Sequence, residues 1–246
     1  MKTSRIALAG LVIALLTIPA FGWVQEPTEA TGYYYMYDEA SEPPSFVAGF
    51  PSLPEGPYSN YSIRDNPEAT KLEPYDDRAL KYEIEDSFWY FGYWYRPGNH
   101  MYLSPDGWFS FDEMMGTWFP IPDKEPPIPN SDDPNELIAP LWGNYNPTAT
   151  PEPSDSNRVY YLYDEESRIL TVEWYKVKYY EKELEYSFLA TIQQGGRDLL
   201  IEDEYGILYS GHLIHFLYNT CTNTWNADRN ITGIEDYTGQ SGIYYQ

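Results

Sequence analysis

Leu170-Thr171-Val172-Glu173-Trp174-Tyr175 is the clearest two-residue alternation in the chain. Successive side chains of an extended strand point to opposite faces, so Leu170, Val172 and Trp174 share one side while Thr171, Glu173 and Tyr175 share the other. The pattern predicts a half-buried antiparallel strand with its apolar set on a core and its polar set toward water. Its partner is predicted at Val159-Tyr160-Tyr161-Leu162-Tyr163, across the acidic turn Asp164-Glu165-Glu166-Ser167. Downstream, Tyr186, Phe188, Ala190 and Ile192 alternate with Ser187, Leu189 and Thr191. Ile214, Phe216 and Tyr218 likewise alternate with Leu213, His215 and Leu217. Both segments read as further strands.

Outward from this centre the same short-strand grammar repeats. Tyr82-Glu83-Ile84 and Phe88 to Tyr95 precede a hairpin in which Met101-Tyr102-Leu103 and Trp108-Phe109-Ser110-Phe111 flank Ser104-Pro105-Asp106-Gly107. Proline and glycine supply the turn. The run Leu137 to Trp142 carries Pro140, which argues for an edge or a strand end. Ile231 to Asp236, turn glycines Gly239 and Gly242, and Ile243-Tyr244-Tyr245 close the chain and read as integral to the sandwich. Trp142 and Trp174 end their runs and are expected to anchor the space between two sheets. Residues 23–80 are rich in proline and glutamate and hold one strand, Tyr33 to Tyr37; residues 120–136 form a second Pro- and Asp-rich loop. No segment past residue 22 has a helical period. The predicted class is an all-β, antiparallel β-sandwich with long Pro/Asp-rich loops, one domain over 23–246.

Lys2 and Arg5, the apolar run Ile6 to Ile18, and Pro19-Ala20-Phe21-Gly22 have the layout of a signal peptide over residues 1–22, with Trp23 as the mature start. The expected location is secreted or cell surface, with no membrane insertion after cleavage. The single cysteine, Cys221, excludes an intrachain disulfide, so the hydrophobic core must hold the fold. Without Lys2 and Arg5, 13 basic residues face 38 acidic ones, a formal charge of −25. Such a surface repels phosphate backbones and argues against nucleic acid and anionic membranes as partners. The aromatic content, 18%, is too high for a disordered chain, because these rings bury large areas and favour strands.

Several of these segments, in order, resemble the nidogen-like extracellular β module found in plexin-domain-containing proteins and in large secreted bacterial surface proteins. The resemblance is carried by Phe88-Trp89-Tyr90-Phe91-Gly92, the hairpin Leu103 to Phe111, Leu137 to Trp142, Thr171 to Trp174, Tyr186 to Ile192, Gly211 to Tyr218, and Gly233 to Asp236 with Gly239 and Gly242. It covers about residues 88 to 245. Trp89 and Tyr90 replace the usual proline-phenylalanine alternation, and Glu202-Asp203-Glu204 is an acidic insertion. The resemblance implies extracellular binding or architecture and transfers no catalytic residue.

The residues that could carry chemistry are few. His212, His215 and Cys221 have metal-ligand types, but on a strand an odd separation sends the two imidazoles to opposite faces, so no metal site is expected there. Ser210-Gly211-His212 lacks the glycine pattern of a nucleophile elbow. Asn130-Ser131-Asp132-Asp133 offers the hard oxygens calcium prefers, without a regular ligand spacing. Tyr160, Tyr175 and Tyr179 are either a sugar-stacking platform or ordinary packing, and packing is the default. The sequons Asn60-Tyr61-Ser62 and Asn230-Ile231-Thr232 are short enough to arise by chance. No catalytic residue is assigned and no cofactor expected. The reading is a secreted, non-catalytic module for protein or glycan binding, adhesion or surface architecture, with the loops at 120–136 and 144–157 as its recognition surface. The acidic surface favours a basic or calcium-bridged partner. The alternative is a secreted carbohydrate-active enzyme, which requires two facing carboxylates, one with a raised pKa.

Overall fold

The computed structural model describes residues 10–17, 34–38, 58–73, 76, 78–91, 93–111, 128–129, 131, 135–150, 155–180, 184–195, 200–202, 208–220 and 231–245. The strands are β1 (Gly10–Thr17), β2 (Tyr34–Asp38), β3 (Thr70–Lys71), β4 (Leu80–Glu83), β5 (Phe88–Tyr90), β6 (Tyr93–Tyr95), β7 (His100–Leu103) and β8 (Phe109–Ser110). They continue with β9 (Leu137–Trp142), β10 (Arg158–Asp164), β11 (Ile169–Lys178), β12 (Glu185–Gln193), β13 (Leu200–Glu202), β14 (Leu208–Thr220), β15 (Ile231–Glu235) and β16 (Gly242–Tyr245). One sheet runs β2-β1-β14-β12-β11-β10-β3, with β13 also on β14; a second runs β16-β15-β9-β8-β7-β4; β5 and β6 form a separate hairpin.

The predicted β10–β11 pair forms in register, Val159 opposite Trp174 and Tyr163 opposite Leu170. Leu170, Val172 and Trp174 join Phe188, Ala190, Ile192, Ile214 and Phe216 from the first sheet, and Met101, Leu103, Phe109, Ile138, Leu141 and Ile234 from the second, in one cluster. This is the interior of a sandwich. β15 pairs with both β9 and β16, which makes the closing segment part of the second sheet, as expected.

Four expectations change. The outer face of β11, β12 and β14 is not solvent-facing: Glu173, Leu189, His215 and Leu217 are all buried. The segment from Tyr58 to Arg64 lies across it, with Tyr58 and Tyr61 packed on Leu189 and Leu217. Pro140 does not mark an edge either, since β9 sits between β8 and β15. The ladder to β15 shifts register between Ile231 and Gly233, beside Pro140, so the missing N–H falls at an irregularity. The Pro140 carbonyl there accepts from Thr232 Oγ1 at 2.9 Å.

Third, Trp142 is buried but not between the sheets. It packs with Tyr102, Trp108, Leu137 and Ala139 in a separate cluster on the second sheet's other face. Trp174 is the inter-sheet anchor. Fourth, the pairings are antiparallel except those of β1, which runs parallel to β14 from Gly10 opposite Ser210 to Thr17 opposite Leu217, and parallel to β2. β1 is the apolar run read as the leader's core. Eight largely apolar residues have the length of a strand, and periodicity alone does not separate the two.

The Pro105-Asp106-Gly107 turn shows why a glycine is needed at its third position. Gly107 has φ +81, and a Cβ there would lie 2.0 Å from the Leu141 carbonyl oxygen. Gly107 and Asp106 carbonyls accept from the amides of Leu141 and Gly143, so the hairpin turn is bonded into the end of β9.

Candidate functional site

Several of the residues singled out in the sequence are described, and several lie outside the described residues. His212 and His215 both lie on β14, and Cys221 lies outside the described residues. Of Asn130 to Asp133 only Ser131 is described, and it is exposed. The loop before β10 is anchored from within: Asn157 Nδ2 donates to the Asn146 carbonyl at 2.9 Å, and its Oδ1 accepts from the Lys178 amide at 2.8 Å. The buried Arg158 guanidinium donates to the carbonyls of Pro147, Asn157 and Thr150 at 2.8, 2.7 and 2.9 Å. Tyr160 and Tyr179 are buried, and Arg64 sits 4.2 Å over the Tyr175 ring. Tyr160 and Tyr179 are packed in the fold, and Tyr175 is half-buried. A cavity lined by Leu72, Arg78, Leu80 and Pro105 has a volume of about 10 Å³, room for one water at most.

Glu173 is the anchor of the outer face. Fully buried, it accepts from the Tyr58 hydroxyl, from Ser62 Oγ at 2.7 Å, and from the amides of Ile63 at 2.7 Å and Arg64 at 3.0 Å. Four donors from one short segment meet one carboxylate. Ser62, the third residue of the first sequon, is thus engaged, while Asn60 is exposed. Nearby His215 is buried with its Nδ1 unbonded among the described residues, and Tyr61 meets its ring edge-on at 6.4 Å.

A different arrangement stands at the end of the second sheet, where the β5–β6 hairpin, the residue before β9 and the β15–β16 turn converge. Tyr90 is buried in the hairpin, and its hydroxyl donates to the carbonyls of Leu137 at 2.6 Å and Glu235 at 3.1 Å. That one hydroxyl ties the hairpin to the strands that carry Glu136 and Asp236. Phe91, at φ 40, turns the chain so that Tyr93 emerges into solvent. Tyr93 and Tyr237 are 46% and 52% exposed, two of the largest apolar groups left outside. Their rings meet at 79°, centroids 4.9 Å apart. The neighbouring Tyr237 hydroxyl first, then desolvation and the charges of Glu136 and Asp236, raise the Tyr93 phenol above its ordinary range.

The two carboxylates are unlike. Asp236 Oδ1 accepts from the amides of Thr238, Gln240 and Ser241 at 3.1, 3.1 and 3.3 Å, and Oδ2 accepts from Thr238 Oγ1 at 3.0 Å. Its job is to close the β15–β16 turn. Glu136 is only 9% exposed and sits in the left-handed region at φ 56, its amide donating to the Asp236 carbonyl at 2.9 Å. Burial, then the Asp236 charge, pushes its carboxyl up to about 7. One raised acid beside a second charge meets half of the requirement for glycoside chemistry. Asp236, the second charge, has Oδ1 engaged by three turn amides and Oδ2 by the Thr238 hydroxyl.

Comparison with known protein families, with curated proteins and with solved structures finds no match for this chain.

Glu136 and His215 give opposite pH slopes. A carboxyl with a raised folded pKa binds its proton more tightly in the native state, so its contribution is full below about 4.5 and lost as pH rises through about 7. Burial lowers His215 to about 4, so its contribution is full above about 6.5 and lost as pH falls toward about 4. Each window spans about 3 kcal/mol. Replacing Glu136→Gln is expected to remove the alkaline loss: unfolding in urea at pH 5 and pH 8 should show the variant gaining on wild type at the higher pH. An unchanged difference would refute the placement of a buried carboxyl there.

Proposed function

We propose that this chain is a secreted, non-catalytic binding module that meets an extracellular partner through the loop end built by Phe91, Tyr93, Glu136, Asp236 and Tyr237. The observation that carries the reading is the exposed Tyr93–Tyr237 pair, held on a buried framework by the Tyr90 hydroxyl. Two large rings left in water on a fixed support fit recognition better than stability. The order of motifs shared with nidogen-like modules supports an extracellular setting, and so does the leader layout of residues 1–22. Cleavage before Trp23 removes β1 and frees the edge of β14 from Ser210 to Leu217. N-terminal sequencing of the exported protein should return Trp23.

Of the loops at 120–136 and 144–157, residues 120–127, 130, 132–134 and 151–154 lie outside the described residues; the proposed surface takes Glu136 from the first, and in the second Asn157 binds the Asn146 carbonyl. The test compares wild type with a Tyr93→Ser/Tyr237→Ser variant as bait for surface proteins and glycans, after matching their melting temperatures. Capture should fall at least about tenfold in the variant, the loss of a binding hot spot. Equal capture would exclude the loop end. Hydrolysis of a polysaccharide, abolished by Glu136→Gln, would replace this reading with the enzymatic one.

A further inference from the structure

We propose that the Tyr93–Tyr237 corner is a receptor for the ammonium group of a lysine side chain presented by a basic partner segment. This deepens the binding-module reading and rests on it. Two rings at 79° with centroids 4.9 Å apart form two walls of a box rather than a flat floor, and each is about half exposed. A π face attracts a cation and repels an anion, because the ring quadrupole is negative at the face. Asp236 directly precedes Tyr237 in the turn, and the Glu136 amide donates to the Asp236 carbonyl at 2.9 Å, so both acidic residues lie beside the corner.

The chemistry selects among occupants. An anion is rejected by the faces, by both carboxylates and by a surface of formal charge −25 on the mature chain. A sugar ring stacks on a flat exposed face and needs polar groups free to bond its hydroxyls; here the second ring interrupts the platform, and the Asp236 oxygens are committed to the turn. A planar guanidinium prefers to lie flat on one ring, as Arg64 does over Tyr175 at 4.2 Å. A compact point charge fits a perpendicular corner. Lys176 shows the weaker intramolecular form of this contact, its Nζ 5.5 Å from the Tyr175 ring.

The experiment is an NMR titration of the purified protein carrying ¹³C-labelled tyrosine rings. The probes are tetramethylammonium chloride and the peptide Gly-Gly-Lys-Gly-Gly, each against a neutral counterpart of the same shape, neopentyl alcohol or the norleucine peptide. The Tyr93 and Tyr237 ring signals should shift and saturate in the millimolar range with both cations, about tenfold more tightly than with the neutral probes. Tyr237→Leu should remove the response, Tyr93→Phe should keep it, and Glu136→Gln should weaken it about threefold or more at pH 8. Tyr93→Phe retains a ring, so the test stands even if Tyr237→Leu fails to fold. Equal response to the neutral probes, or none to tetramethylammonium at about 100 mM, overturns the proposal. A corner that takes a neutral oligosaccharide and no cation also overturns it while leaving the binding module standing. Partner capture that is insensitive to a corner shown to bind ammonium would instead sink the functional reading.

Discussion

Replacing Glu173→Ala should destabilise the fold by about 4–5 kcal/mol, a loss reached when a buried charge network is broken. The carboxylate is fully buried on β11 and receives four donors from the Tyr58 to Arg64 segment. Removing it leaves those donors without an acceptor, and each buried unmade bond costs about 1–3 kcal/mol, less than additively because the segment can move into water. That movement is the distinguishing sign. Once the segment lifts, Leu189, Leu217 and His215 on the outer face are exposed to solvent. Glu173→Gln should cost less, about 2–3 kcal/mol, since the amide keeps one acceptor oxygen but turns two donors toward other donors. Tyr58→Phe removes a single bond and should cost about 1–2 kcal/mol. Urea melts measure the three losses, and hydrogen exchange reports whether residues 58–64 open before the sheets. A Glu173→Ala protein that melts at the wild-type midpoint would show that the segment is not latched by this residue.

The sheet pattern was legible because side chains alternate with an exact period of two wherever one face meets a core. Leu170, Val172 and Trp174 declared that face, and the turn residues around Gly107 and Gly239 declared where strands reverse. What covers the other face was not legible. Glu173 reads locally as a solvent-facing acid, and only a segment more than a hundred residues earlier turns it into a fully buried carboxylate with four donors. Long-range pairing leaves no periodic trace. Pro140 misled for a related reason: a proline forbids one ladder bond, and a register shift on the neighbouring strand can supply the gap inside a sheet as well as at its edge.

The loop end was half visible. Asp236-Tyr237-Thr238-Gly239 carries the composition of an Asp-closed turn, and an aromatic residue inside such a turn has little to pack against. That signal could have marked Tyr237. Nothing local could have marked Glu136, whose burial and strained backbone come from the approach of the β15–β16 turn, or Tyr93, whose partner lies in a different sheet element. Of the tyrosines that sequence order made attractive, Tyr160 and Tyr179 are buried, and Tyr175 is half-buried beneath Arg64, so much of their ring area stabilises the fold.

Trp174 gives the second large effect. Its ring is stacked between Phe188, centroids 5.0 Å apart at 12°, and Phe109, 6.4 Å apart at 10°, so it bridges both sheets at the middle of the sandwich. The indole Nε1 donates to the Ser104 carbonyl at 2.9 Å, reaching the turn that Gly107 closes. Trp174→Ala therefore removes packing between sheets and a bond to the hairpin together, and should cost about 3–5 kcal/mol, at the upper end because close-packed neighbours on both sheets limit collapse of the void. Trp174→Phe keeps a stacked ring and loses the bond and part of the volume; a loss of about 1–2 kcal/mol is expected. Trp142 supplies the internal control. It is as deeply buried, but it belongs to the smaller cluster outside the sandwich, and its Nε1 has no hydrogen-bond partner among the described residues. Trp142→Ala should cost about 2–3 kcal/mol, with no polar partner left stranded. Chemical denaturation of the three variants orders them. If Trp142→Ala proves the more damaging, the centre of the core lies on the outer face of the second sheet and not between the sheets.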